Sequence, residues 1–500
     1  MIGGEPAARS RSAPRFDDGA PDAGKRTRGS APFHEGGGTM GKATARVNAD
    51  GRMAGPTPGW HRRIVVLALP IVLANLSVPL LSAVDTAVAG HLPDQASLGG
   101  VALGGLFFNA MIWGLGFLRM ATTGLVAQAL GAGNAEEMRL VQLRALFLAI
   151  LLGLAILAFQ HPLIDGALDL LGGSAAVREA ARAYCDTRIW SAPAALANSV
   201  VLGYLLGTQR AKLGFGLQLL LNFFNMVLAI GLVYGLGLGV AGIGAATAMA
   251  DGLGLAIGLG VLWRLRPHGL PRFEPSVLWA RAPLVRLFGI NRDIFLRTAC
   301  LIGVTSLFAR LGAGLGDTVL AGNAVLLNFQ TFTSFGLDGF AYAAEALVGV
   351  AVGARDRSSL RAASRISMFW AVLSATGFSL AYLAAGPMVI DGLTSQAAVR
   401  AIARDYLPWA IVLPVVSVWG FQFDGIFIGA TRARELRNGM VVSLAVFLAA
   451  AFALMPIAGN HGLWGAYALF MAARGICLAW FYPRIGAEWG DRPPQPAFVE

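Results

Sequence analysis

The sequence predicts an all-α membrane protein with twelve transmembrane helices in two pseudo-symmetric lobes of six. Three observations carry that expectation. Of 500 residues, 56% are hydrophobic and only 13% are charged, against about 25% charged in a soluble domain. Apolar residues gather into runs of about 20, the length a bilayer-spanning helix needs. The second half of the chain also repeats features of the first at a fixed spacing.

Residues 1–60 are rich in Gly, Pro, Ser, Arg and Asp and have no apolar period. They read as a disordered basic extension without the apolar core of a signal peptide, and Met40 and Met53 offer alternative starts. Gly36, Gly41 and Lys42 have phosphate-loop spacing, but Ala43 stands where Ser or Thr must hold magnesium and no strand precedes them. From Ile64 onward the apolar runs cover roughly 64–90, 98–130, 140–160, 182–207, 213–234, 238–263, 286–311, 318–352, 364–389, 403–429, 438–457 and 461–483. This gives a first lobe at 61–263 (helices 1 to 6) and an inter-lobe loop at 264–285. A second lobe follows at 286–484 (helices 7 to 12), then a tail at 485–500. Runs two and eight exceed the bilayer thickness and should tilt or project into water.

The loops set the orientation. Those after even-numbered helices carry Arg139 and Arg144, Arg210 and Lys212, a cluster from Arg264 to Arg292, Arg355 to Arg365, and Arg432 to Arg437; those after odd-numbered helices are short or mixed. Positive residues stay in the cytoplasm, which puts both termini and the 264–285 loop there. The net charge of +11 is thereby explained by topology, and no nucleic-acid partner is expected.

Residues 203–212 read GYLLGTQRAK and residues 425–434 read GIFIGATRAR, an offset of 222. Gly131 and Ala132 fall on Gly353 and Ala354 at the same offset, and Leu98 on Leu320; Gly244 and Ala245 match Gly465 and Ala466 at 221. With six helices per half, the repeats enter the membrane in the same sense. They form a parallel pair around a central cavity, suited to alternating access by rocking.

An ionisable group inside a spanning helix is a functional candidate by default. Asp85, Arg119, Asp251, Asp338, Glu345 and Asp424 qualify. Asp85 lies near the outer end of helix 1. Asn222 and Asn225 share a face of helix 5, and Thr247 on helix 6 lies at a similar depth to Asn225, with Asp251 one turn beyond. These oxygens suit Na⁺ at Asp85, Asn225 and Thr247, or a proton on a desolvated carboxylate; the bland alternative is that the asparagines bridge helices. Asp338 and Glu345 share a face of helix 8. Arg119 and Asp424 both fall in the inner half, where Arg119 either ties helices together through one of these acids or forms a gate between lobes. Pro70 and Pro79 permit a bend in helix 1. Phe107, Phe108, Met111, Trp113, Phe117, Phe329, Phe332, Phe335 and Trp419 are candidates to line an adaptable apolar cavity.

Cys185, Cys300 and Cys477 fit no metal or redox spacing, no HExxH is present, and no nucleophile–base pair or nucleotide loop appears. An enzyme is not expected, nor a bound cofactor or structural metal.

The stretches PIVLANLSVPLLSAVDTAVAGHL, FLRMATTGLVAQALGAGN, NRDIFLRT, LDGFAYAAEALVGVAVGARD and FDGIFIGATRARELRNGM resemble the DinF-type branch of the multidrug and toxic compound extrusion (MATE) family, from about Ile64 to Arg484. The resemblance implies a MATE-like fold and export of amphipathic, often cationic small molecules from the bacterial inner membrane by a monomer, in exchange for H⁺ or Na⁺. The family's first-lobe carboxylate matches Asp85, its helix 5 asparagine Asn225, and its helix 6 threonine Thr247. An acid the family often carries four residues after that asparagine is here Ala229, which favours H⁺ over Na⁺. The resemblance also permits export of an organic anion such as citrate, held by Arg119 or Arg297, or a related lipid-linked precursor flippase.

Overall fold

The computed structural model describes residues 59–92, 94–266 and 278–489. The expected disordered extension, much of the inter-lobe loop and the end of the tail lie outside the described residues. Among these, every regular element is helical. In chain order they are α1 (Gly59–Gly90), α2 (Gln95–Gly114), α3 (Phe117–Gly131), α4 (Ala135–Ala158), α5 (Gln160–Leu171), α6 (Ala175–Arg188), α7 (Ala192–Gly207), α8 (Ala211–Ile230), α9 (Gly239–Arg264), α10 (Arg281–Ala313), α11 (Asp317–Gly353), α12 (Arg357–Leu393), α13 (Ala397–Asp405), α14 (Leu407–Gly429) and α15 (Ala433–Phe481).

Ten helical segments among the described residues are long and apolar enough to cross a membrane. They leave out α1, which is 32 residues long, and count α15 once although its backbone turns at Gly459 (φ 53°). The two arms of α15 fold back on each other. Gly439 packs on Cys477 and Leu478, and the Phe447 and Phe470 rings meet at 6.3 Å. Three runs expected to be continuous are broken. Gly114 and Gly116 bracket the break between α2 and α3. The run 182–207 passes through a 3₁₀ turn at Ile189–Ser191 before α7, and 403–429 breaks at Tyr406. Pro193 and Pro408 sit in the first turns that follow, where a residue without an N–H costs no helical hydrogen bond.

The repeat seen in the sequence is also a repeat of backbone geometry. Gly133 and Arg355, Gln209 and Thr431, and Gly237 and Gly459 all have positive φ, and each pair is 222 residues apart. The first two pairs close the preceding helices alike. The N–H of Asn134 bonds the Ala129 carbonyl at 2.9 Å and that of Asp356 the Ala351 carbonyl at 2.9 Å; Arg210 does so to Leu205 at 2.7 Å and Arg432 to Phe427 at 2.9 Å. These are six-to-one closures that satisfy the last helical carbonyls. Asn134 and Asp356 then cap the next helices, accepting from Glu137 N at 2.8 Å and Ser358 N at 2.9 Å.

Small residues let helices approach closely, as in lipid, where packing replaces the hydrophobic effect. Gly203 and Gly207 press on the Arg119 and Thr123 carbonyls; their repeat mates Gly425 and Gly429 press on those of Ala341 and Glu345. Between the halves the contact is reciprocal. A side chain at Gly131 would run into the Val350 main chain, and one at Gly353 into that of Gln128. Residue i meets j+222 while j meets i+222, the signature of a two-fold interface. The start of α1 joins this seam, with Ile64, Leu67 and Ala68 packed in one buried cluster with Ala343, Leu347 and Phe427.

Candidate functional site

The polar side chains fall into two groups. In the N-terminal half, Asp85 on α1 has a buried Oδ1 with no hydrogen-bond partner among the described residues. Its electrostatic neighbour is Arg188 at the end of α6. Arg188 donates to the Tyr184 hydroxyl, and its guanidinium lies 4.6 Å from the centre of the Phe108 ring and 5.4 Å from that of Tyr184. The same guanidinium acts on Asp251 of α9, whose backbone carbonyl accepts from Asn198 Nδ2 at 2.9 Å.

The amides expected beside Asp85 are engaged elsewhere. Asn222 accepts from Gln218 at 3.1 Å and donates to Ser77 Oγ at 2.7 Å, tying α8 to α1. Asn225 donates to Thr247 Oγ1 at 3.0 Å, tying α8 to α9, and its Oδ1 is buried without a partner. Thr247 in turn donates to the Ile243 carbonyl at 3.3 Å. Among the described residues no hydrogen bond joins Asp85 to Asn225 or Thr247. The helix-bridging role therefore accounts for Asn222, while Asp85 and Asn225 each keep an uncommitted oxygen.

The second group lies in the C-terminal half and at the seam. Arg119 on α3 bonds both carboxylate oxygens of Glu345 on α11 at 3.4 Å and covers the Tyr342 ring at 4.0 Å. Glu345 is fully buried, and the Thr123 hydroxyl donates to the Arg119 carbonyl at 2.9 Å. Asp424 on α14 accepts from two buried arginines, Arg297 on α10 and Arg474 on α15. Asp338, two turns before Glu345, stays partly accessible and feels Arg119, Arg474 and Arg297 at once. Arg119 pairs with Glu345, and Asp424 has its own arginines.

Phe329 does not line a cavity. It is 1% exposed and packs against Tyr382 with ring centres 4.8 Å apart, because α11 turns that face into the core of the C-terminal half. Met111 is half-buried against the cluster holding Val88, Phe108 and Ile243. α1 runs as one helix through Pro70 and Pro79; the side chain of Pro79 lies outside the described residues. Asn75, between them, donates to the Phe335 carbonyl across the seam at 3.3 Å.

Two charges central to this arrangement, Arg188 and Arg474, were not among the sequence candidates. The rule that singles out ionisable residues in spanning runs returns both, since they lie in the runs 182–207 and 461–483. Arg188 is masked by Arg178 and Arg182 just before it, which pair at the surface with Asp169 and Asp165.

The MatE family model matches residues 70–234 and 294–457. The chain is 45% identical over 430 residues to the DNA damage-inducible protein F of Escherichia coli K12, covering 85% of this chain and 91% of that one. It is 30% identical to a probable multidrug resistance protein NorM of Xanthomonas axonopodis pv. citri, covering 78% and 86%. Among solved structures it resembles a MOP superfamily transporter from Pyrococcus furiosus, with a TM-score of 0.78 at 20% identity over 87% of this chain and 97% of that one. An outward-facing multidrug resistance MATE family transporter gives 0.77 at 20% identity, over the same shares of each chain. These last two likenesses concern the fold.

Proposed function

The chain belongs to the MatE family of multidrug and toxic compound extrusion transporters, and from that premise we propose that it exports amphipathic, often cationic small molecules across the bacterial inner membrane in exchange for protons. The carrying observation is the buried, unpartnered oxygen of Asp85. An ionised carboxylate so placed is costly, and taking up a proton removes the charge. Asp85 would gain a proton in one state of the bundle and lose it in the other. Sodium is the weaker candidate, because Thr247 and the Asn225 amide are already bonded to each other and neither bonds Asp85.

Alternating access needs two faces that close in turn. The seam at Gly131 and Gly353 lies where α3 and α11 end, beside the arginine-bearing turns at Arg355 and Arg432, with the Arg119–Glu345 pair deeper along the same two helices. With positive residues kept inside, this is the cytoplasmic face with both termini on the same side, and the described conformation is closed there.

A second reading, export of an organic anion, is favoured by one observation: two buried guanidiniums, Arg297 and Arg474, converge on the single carboxylate of Asp424. Purified protein in proteoliposomes separates the two. Imposing a pH gradient and a sodium gradient separately, ethidium should move against the pH gradient while citrate does not. Citrate movement without ethidium movement would replace the first reading by the second.

A further inference from the structure

We propose that the cleft between α4 and the first turns of α10 binds an anionic phospholipid of the cytoplasmic leaflet, with the lipid phosphate on Arg286. This goes beyond the transport reading and rests on the embedding of the chain in a membrane with its arginine-bearing turns on the cytoplasmic side.

The cleft arises from how the chain enters α10. Arg144 of α4 donates from Nε to the Leu278 carbonyl at 3.1 Å. One turn along α4, the Phe147 ring meets the Trp279 ring edge-on at 4.7 Å. These two contacts fix the approach to α10 against the flank of α4. Next to them a cavity of about 270 Å³ lies between α3, α4 and the start of α10. Leu125, Val141, Pro283 and Leu287 give it an apolar wall, and Arg144, Arg286 and Glu137 supply its charges. All of these lie within roughly 15 Å of the helix ends, the depth range of a headgroup and its first methylene groups. Phe147, Trp279, Val285 and Phe288 are exposed beside it, on a surface that bilayer chains surround. A tryptophan at the membrane interface sits at headgroup level.

The charges do not cancel. The Arg144 side chain is 3% exposed and faces Glu137 at 3.4 Å. Arg286 is exposed, and among the described residues its hydrogen bond goes to a neutral group, the Gln128 amide oxygen, at 3.2 Å. A guanidinium carries five N–H donors, so most of those on Arg286 remain for a bidentate contact with phosphate oxygens. A soluble anion matches the charge but not the apolar wall, and an acyl chain matches the wall but not the charge. A phospholipid supplies both.

The occupant bears on the seam between the halves. Gln128 Nε2 donates to the Gly429 carbonyl and to the Thr431 hydroxyl oxygen, at 3.0 Å each. A phosphate on the outward donors of Arg286 leaves the bond to Gln128 in place and holds the arginine beside the closed seam. The lipid therefore stabilises the described conformation.

The test uses the full chain in detergent micelles containing phosphatidylglycerol or phosphatidylcholine, read by the unfolding midpoint. Phosphatidylglycerol should raise the midpoint by several degrees over phosphatidylcholine, since a ligand of the folded state stabilises it. Arg286→Gln should lose most of that difference. So should Ala282→Trp, which fills the cleft from an exposed lining position without altering a charge. Arg361→Gln, an equal loss of charge at an exposed site on α12, should keep it. Equal midpoints in the two lipids, or a difference retained by either folded cleft variant, would overturn the proposal. A loss in Arg361→Gln as large as in Arg286→Gln would reduce the effect to general surface charge and overturn it too. An equal rise with glycerol phosphate, which has no acyl chain, would make the occupant a free phosphate and sink the lipid assignment.

Discussion

Arg119 bonds Glu345 across the two halves of the chain, and Glu345 is the repeat mate of Thr123, one turn along α3 from Arg119 itself. The Thr123 hydroxyl donates to the Arg119 carbonyl at 2.9 Å, so Glu345 and its counterpart both attach to Arg119, close to the pseudo-two-fold axis. Gly349 and Ala127, also 222 apart, touch there too. The repeat thus makes a closed seam in which the Arg119–Glu345 contact is asymmetric, since Arg119 has Ala341 as its counterpart.

Breaking that pair from one side should be costly. Arg119→Ala leaves Glu345 buried and unpaired, a loss of about 3–5 kcal/mol. Replacing both with Met should recover most of it, because a buried ion pair is often no better than apolar packing. Thermal unfolding of the single and double variants in detergent checks both outcomes. A double variant as unstable as the single would mean the pair contributes more than its mutual compensation.

The reciprocal glycines predict matched phenotypes. Gly131→Val and Gly353→Val each drive a side chain into the opposing main chain, so each should hold this end open to the same degree. Labelling of a cysteine placed at Ala127, normally buried, should rise in both variants. A rise in only one would argue against the two-fold arrangement.

Arg355 adopts φ 55° at a position where its repeat mate is Gly133. A non-glycine residue there costs roughly 1–2 kcal/mol, partly offset by the greater freedom of glycine in the unfolded chain. Arg355→Gly should stabilise the protein by about 0.5–1 kcal/mol, read as a higher unfolding midpoint.

Asp356 caps α12 from outside the membrane. Burial raises its carboxyl pKa, but the hydroxyls and backbone N–H groups of Ser359 and Ser358 outweigh this and hold it below its ordinary 3.8. A depressed carboxyl contributes stability above the unfolded value and loses it as pH falls through the folded one. Asp356→Ala should cost about 1 kcal/mol at neutral pH, and the difference from the parent should shrink below pH 3.8. A gap that persists in acid would assign the loss to packing.

Much of the architecture was legible in the chain because it follows from one-dimensional signals. Run length gives spans, and glycines at a constant offset give the repeat, as Gly203 and Gly425 do. What stayed hidden depends on which faces meet. Nothing in the spacing of Asn222 and Asn225 says that one turns to Ser77 and the other to Thr247. Phe329 and Phe332 look alike in sequence, yet one is 1% and the other 42% exposed. The helix breaks beside Gly116 and Pro193 were announced by residue type but overridden by continuous hydropathy. Arg188 meets the Phe108 ring only when α2 and α6 pack together.

The most direct test is ethidium movement driven by a pH gradient in proteoliposomes containing Asp85→Asn. The substituted protein should insert and unfold at a temperature close to that of the parent while movement falls to the level of empty vesicles. Undiminished movement by the folded variant would contradict proton coupling through Asp85.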